Sequence, residues 1–361
     1  MRSASHTSAV AGLNWRPTGR LTPMAESTGK VNWGVLSTAQ IGRNWVIPAG
    51  QKAANTNFLA IASRDHSRAE AAAEQLGIPR AYGSYEELLA DDDIRVVYNP
   101  LPLSLHAEWT IKAAEAGKHI LCEKPIAVDA VEAQAAVDRC RELGVILMEA
   151  FQYHFAKRNL RARKIVESGK LGTPRLIKAS FNVSAPRDHD NIRFQKKLAG
   201  GALADIGSYC VGVARFIFDE EPLRVLATLR TDDEFEVDFT GFMVLEFAGG
   251  KSALLDYSGE TFGRPILEVL GSEGRMIIND FHLPSLKESK IRIFDTNGFS
   301  QTLFPPFDSY MLEVEAMSDA VLYGAPLKWP PEEAVANIRA MDAIRLSSAE
   351  GRWVELSELG G

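Results

Sequence analysis

The chain has 361 residues, enough to bury a large core and to form more than one domain. Its 46% hydrophobic and 24% charged residues suit a globular protein, and its net charge of −7, with basic residues spread rather than clustered, offers no nucleic-acid surface. No run approaches the roughly 18 consecutive apolar residues of a membrane span, and Cys122, Cys140 and Cys210 are too far apart for a CxxC site or a disulfide framework, which points to a reducing, cytoplasmic setting.

Residues 1–30 differ from the rest of the chain. They carry Arg2, Arg16 and Arg20 with no acid before Glu26, are rich in Ser, Thr, Gly and Pro, and lack the apolar core of a secretory signal. They read as an N-terminal extension: a disordered tail, a stretch upstream of an initiating Met24, an organellar or export peptide, or an arm that grips a neighbouring subunit.

From 31 to 150, strands alternate with amphipathic helices. Strands are expected at 31–36, 57–63, 95–99, 119–122 and 145–149, with helices at 66–76, 105–116 and 128–143 and a helical turn at 85–90. That alternation predicts βαβ units and a parallel sheet with helices on both faces, an α/β Rossmann domain whose strand ends converge on one ligand-binding edge. The first turn, Ser37-Thr38-Ala39-Gln40-Ile41-Gly42, is a degraded GxGxxG with only the last glycine intact. Its small residues still let backbone N–H groups approach a pyrophosphate, which makes Ser37, Thr38, Ala39, Gln40 and Ile41 cofactor candidates. The second strand ends about 20 residues on, where an acid would hold the ribose of NAD. Ser63 and Arg64 stand there instead and suit a 2′-phosphate, so NADP is expected, with Asp65 leaving NAD open. The next strand ends give Asn99, Pro100, Leu101 and His106, and then Glu123, Lys124 and Pro125; a lysine ending an apolar strand needs a partner or a task.

After Ala150 the alternation stops. Period-two runs at 174–184, 222–231, 237–248, 251–259 and 265–278 predict a C-terminal α/β domain, 151–361, built on a large, mostly antiparallel open sheet for substrate binding and oligomerisation. Among them lies GGALADIGSY, residues 200–209. A helix starting near Ala204 puts Asp205 and Tyr209 on one face, and the two glycines let the backbone pass close to a ligand. Tyr153, after the last parallel strand, and Arg187, in a polar loop with Asp188, His189, Asp190 and Arg193, are further substrate candidates. The seven histidines show no HxxxH or HxH spacing, so no metal is expected.

The segments VNWGVLSTAQIG, VVYNPLPLSLHAEWTIKAAEAGKHILCEKPIAV and GGALADIGSY together resemble the Gfo/Idh/MocA oxidoreductases. The resemblance covers most of 31–361 and is strongest to the branch of glucose-fructose oxidoreductase, pyranose 1-dehydrogenases and dihydrodiol dehydrogenase. It implies that Lys124 lies in the active site, often before a cis Lys-Pro bond, that Tyr209 transfers the proton and that Asp205 orients the substrate hydroxyl or the tyrosine. A free tyrosine, with a pKa of about 10, is a poor base at neutral pH, and an ammonium about 4 Å away would oppose this. The expected reaction is hydride transfer between NADP and a sugar or cyclic polyol, foremost the oxidation of an aldopyranose at C1 to a lactone. Keto-sugar reduction, trans-dihydrodiol oxidation and sugar–sugar transfer with tightly held NADP are enzyme alternatives, and a non-catalytic NADP sensor is the alternative from another class. A homodimer or homotetramer through the C-terminal sheet is also implied.

Overall fold

The computed structural model describes residues 29–282 and 287–360, so the extension expected at 1–30 lies outside the described residues except for its last two. Six strands, β1 Val31–Leu36, β2 Thr56–Ala62, β3 Arg80–Tyr82, β4 Val96–Asn99, β5 His119–Glu123 and β6 Leu147–Ala150, form a parallel sheet ordered β3-β2-β1-β4-β5-β6. The order reverses between β1 and β4, and at such a reversal the loops leaving the carboxyl ends diverge and open a ligand crevice. Every residue of β4 is buried, as expected of a parallel strand covered on both faces.

The two faces are covered from different parts of the chain. Helices His106–Glu115 and Ala130–Glu142 pack on one face through Trp109, Ala113, Ala133, Ala136 and Val137. The other face, lined by Val31, Trp33, Val35, Phe58 and Tyr98, is covered by helix Ser309–Tyr323 through Val314, Met317 and Ala320. Ser318 fixes the register, accepting from Trp33 Nε1 at 3.1 Å and lying 2.8 Å from Thr56 Oγ1. Asp308 caps that helix by accepting from the Tyr310 and Met311 amides, and Gly324 ends it in the left-handed region where glycine carries no Cβ penalty.

Nine strands make the second sheet: β7 Pro174–Asn182, β8 Arg224–Thr231, β9 Asp238–Phe247, β10 Lys251–Ser258, β11 Ile266–Gly271, β12 Gly274–Asn279, β13 Ser289–Asp295, β14 Gly298–Phe304 and β15 Val354–Glu355. The order is β14-β13-β12-β11-β7-β10-β9-β8-β15, antiparallel throughout except between β7 and β10. Helices Ser208–Phe218 and Pro331–Glu350 cover one face, while Phe242 and Leu254 stand 61% and 42% exposed on the other. Burial alternates along β9, as it must in a sheet with one covered face. Among the described residues one stretch, Lys196–Phe218, has the length and composition of a membrane span, but 89% of its apolar window is buried inside the protein, which makes it a core element.

Candidate active site

The chain enters the site from β4 and β5, whose adjacent carboxyl ends are tied together by buried polar groups. Asn99 donates to the His106 carbonyl at 3.1 Å and accepts from the Leu101 amide at 3.4 Å. The His106 ring is 2% exposed, with Nδ1 2.7 Å from the Pro125 carbonyl oxygen and Nε2 2.6 Å from that of Leu101. The side chains of Asn99 and His106, expected at the cofactor, are engaged with these two turns. What they hold is the segment of Lys124, whose bond to Pro125 is cis. Glu123 accepts from the Tyr98 hydroxyl at 2.5 Å and lies near enough to Asp205 and Tyr209 to act on both; burial raises its carboxyl above the ordinary range, opposed by that hydroxyl and by Lys124.

Asp205 and Tyr209 come from the second half. Leu203–Gly207 is a wide π-helical turn that runs into helix Ser208–Phe218. A Cβ on Gly200 would stand 2.5 Å from the Arg193 carbonyl oxygen, and one on Gly201, at φ 131°, 2.4 Å from Asp238 Oδ1. The two glycines therefore admit protein atoms rather than the ligand expected. Asp238 in turn accepts from the Leu203 amide and from the Tyr257 hydroxyl, both at 2.6 Å, which fixes the start of the turn.

This framework brings Lys124, Asp205 and Tyr209 together. The Lys124 ammonium donates to the Asp205 carbonyl, lies 3.4 Å from Asp205 Oδ1 and stands 5.0 Å from the centre of the Tyr209 ring. Arg193 Nε donates to the other carboxylate oxygen at 2.6 Å. Burial pushes the Asp205 carboxyl up, but Lys124 and Arg193 outweigh it and hold the group below its ordinary value, as a carboxylate. Tyr209 goes the opposite way: burial, then Glu123, drives its hydroxyl well above the ordinary phenol range, with the Gln152 amide opposing them. The expected lowering by Lys124, whose ammonium stands 5.0 Å from the ring centre, does not prevail against burial.

Three further side chains shape this corner. Tyr153, expected at the substrate, is 1% exposed and packs edge-on to Phe151 and against Tyr209, so it backs the tyrosine. Gln152, also buried, bonds the Tyr209 hydroxyl and is held by Ser309 Oγ, which donates to its Oε1 at 2.9 Å, and by the His282 carbonyl, which accepts from its amide. The His282 ring lies 4.2 Å from Phe181 and edge-on to Tyr209 at 5.8 Å. Arg187, also expected at the substrate, is committed to Asp232 and Glu234 at 2.7–3.0 Å and to the faces of Phe235 and Phe239, so Arg193 is the residue of that loop that enters the site.

Residues 31–151 match the oxidoreductase family with an NAD-binding Rossmann fold, and residues 159–277 match the GFO/IDH/MocA C-terminal domain. The chain belongs to the Gfo/Idh/MocA oxidoreductase family. It is 41% identical over 325 residues to a D-xylose 1-dehydrogenase (NADP(+)) of Haloferax volcanii, covering 90% of this chain and 99% of that one. It is 35% identical to a dTDP-3,4-didehydro-2,6-dideoxy-alpha-D-glucose 3-reductase of Streptomyces violaceoruber, over 82% of this chain and 86% of the relative. Among solved structures, KijD10, a 3-ketoreductase from Actinomadura kijaniata in complex with NADP and TDP-benzene, superposes with a TM-score of 0.84 at 31% identity, over 88% of this chain and 98% of that one.

As a Gfo/Idh/MocA oxidoreductase the chain must hold a nicotinamide dinucleotide, and its own residues fit one. Ser37 sits at φ 78°, the backbone a glycine would take at the first fingerprint position; its Oγ accepts from the Ala39 amide at 3.3 Å and donates to the Pro100 carbonyl at 3.4 Å. Thr38, Ala39, Gln40 and Ile41 continue from it as a partly exposed edge, while the side chains of Pro100 and Leu101 are buried behind. At the end of β2, Asp65 is spent as the cap of helix His66–Leu76, accepting from the Ser67 amide at 3.0 Å and the Ser67 hydroxyl at 2.6 Å. Arg64 beside it is exposed and, among the described residues, has no ion-pair partner. The Arg64 side chain also reaches the Tyr85 hydroxyl; with Asp65 spent on its own helix, an exposed guanidinium at the end of β2 suits a 2′-phosphate better than a bare ribose hydroxyl.

Proposed function

We propose that this enzyme moves hydride between NADP and a sugar or cyclic polyol, foremost in the oxidation of an aldopyranose at C1 to its lactone. The observation that carries this reading is the meeting of Lys124, from the nucleotide half, with Asp205 and Tyr209, from the sheet half, at the switch-point edge of the parallel sheet. The D-xylose dehydrogenase relative supports the aldose. Ser37–Ile41 would hold NADP with Arg64 toward its 2′-phosphate, and the bound nucleotide would supply the hydride acceptor or donor. The Tyr209 hydroxyl moves the proton at the reacting oxygen. Lys124 lowers the energy of that oxygen as it gains negative charge, and Asp205 keeps the ammonium in place. Gln152, His282 and Phe181 wall the space around the Tyr209 hydroxyl.

Keto-sugar reduction on the same residues is favoured by one specific observation, the burial of Tyr209, which disfavours its phenolate and so favours the proton-donating form. The keto-sugar reductase relative and KijD10 point the same way. A panel of aldoses, inositols, trans-diols and keto-sugars, run with both NADP and NAD, decides between the two directions. In that assay Lys124→Met should lower kcat about 100-fold or more, with the NADP Kd from fluorescence titration changed only a few-fold. Turnover near that of the parent would remove Lys124 from the mechanism, and tight NADP binding without turnover on any member would make the protein a sensor. The open face of the second sheet, with Phe242 and Leu254 exposed, supports a homo-oligomer through that face. Three buried thiols, none in a disulfide, support a reducing compartment such as the cytoplasm.

A further inference from the structure

Asp205 is one carboxylate shared by two cations, and the two are used differently. Lys124, 12% exposed, gives its ammonium to the Asp205 carbonyl and to Oδ1. Arg193, 55% exposed, gives only Nε, to Oδ2 at 2.6 Å. Among the described residues its terminal amino groups, Nη1 and Nη2, have no protein partner. Elsewhere in the same loop Arg187 shows what a committed guanidinium looks like, with both terminal groups on carboxylates.

The backbone that presents Arg193 is held from several sides. Asn191 Oδ1 accepts from the Arg193 amide at 3.1 Å, and the Arg193 carbonyl accepts from the Gly201 amide at 3.0 Å. Phe194, the next residue, is buried against Phe235 and Phe239 with ring centres 5.0 Å away in each case. A guanidinium on a fixed turn, anchored through Nε and bare at its fork, is preorganised to receive two lone pairs in a plane. The carboxylate it is anchored to is the one that also holds Lys124, so the fork stands beside the groups that handle the reacting carbon.

We propose that Arg193 is a specificity-determining residue whose Nη groups take the oxygen on the carbon adjacent to the one oxidised or reduced, so that the enzyme reads a vicinal pair of oxygens. This rests on the function proposed above. One oxygen lies at Tyr209 and Lys124, where the proton moves, and its neighbour lies at Arg193. A hydroxyl in that second place accepts from the guanidinium while donating toward Asp205 Oδ2.

The test pairs each substrate with the analogue that lacks the adjacent hydroxyl, starting with D-glucose and 2-deoxy-D-glucose, in the parent enzyme and in Arg193→Met and Arg193→Lys. The parent should prefer the hydroxylated member by about 10- to 100-fold in kcat/KM, the size of one hydrogen bond to a charged donor. Arg193→Met should erase that preference by slowing the hydroxylated member alone. Arg193→Lys, which keeps the charge on Asp205 but loses the fork, should recover only part of it. An equal fall for both members in Arg193→Met, restored for both by lysine, would overturn the proposal, because Arg193 would then serve only to position Asp205. Should the parent turn over no member of the substrate panel, the function proposed above fails by itself. The Arg193 assignment is then read from thermal shifts with the same pairs in the presence of NADP: stabilisation by the hydroxylated members that disappears in Arg193→Met supports it, and stabilisation that persists, or none in the parent, overturns it.

Discussion

Arg64 and Asp65 are chain neighbours at the end of β2, yet only one is available to a cofactor. The carboxylate of Asp65 is occupied by the first turn of its own helix, which residue types alone do not reveal, since Asp at this position is also what NAD enzymes use. Arg64→Ala should therefore weaken NADP about 10- to 100-fold and leave NAD nearly unchanged, as measured by titration of each coenzyme. Tyr209 sets a second expectation at this scale. Because burial raises its hydroxyl, the protonated form that serves reduction persists across the neutral range, while the deprotonated form that serves oxidation is scarce and grows with pH. Rate profiles in both directions should show oxidation climbing from about pH 7 to pH 10 as reduction stays flat. Oxidation flat over that interval would mean that the proton leaves by another group.

At the scale of elements, the turn that carries Asp205 depends on what is missing from Gly200. Gly200→Ala would drive a carbon against the Arg193 carbonyl and should cost about 1–3 kcal/mol of stability together with most of the activity. Gly259→Ala, whose added carbon would meet Phe239 at an ordinary 3.5 Å, is the control and should change neither in thermal denaturation or assay. The same segment shows what the sequence does and does not disclose. The alternation of strands and helices across 31–150 announces the first sheet, and the strand ends announce Lys124, because periodicity is a local property. Asp205 and Tyr209 are legible as a pair four residues apart, and their meeting with Lys124 is reachable only through family resemblance. Gln152 and His282 are not legible: Gln152 stands beside the more reactive-looking Tyr153, and His282 arrives from the far end of a hairpin through tertiary packing alone. Strands β13 and β14 carry a readable signal, the Asn297-Gly298 turn between two alternating runs, as does helix Ser309–Tyr323 in its Asp308 cap.

For the whole molecule, the second sheet poses the question of what lies on its bare side. Phe242 and Leu254 stand exposed on a face shared with Leu226 and Val244 and with the polar Lys178, Ser180, Thr228 and Asp256, a mixed surface that an assembly could cover. Phe242→Asp should shift the protein to a smaller species in analytical ultracentrifugation, with NADP affinity retained because the dinucleotide edge lies in the other sheet. A mass unchanged by that substitution would place the contact elsewhere.

Helix Ser309–Tyr323 is remote from the nucleotide half in sequence but is the roof of one of its faces. Anyone wishing to graft a new sugar specificity onto this cofactor half cannot splice at residue 150 alone. A donor chain attached there would leave Trp33, Phe58 and Val96 facing water unless it brought, or was given, a helix with the Val314, Met317 and Ser318 pattern. A donor lacking such a helix therefore needs two crossover points, the second placed before Asp308.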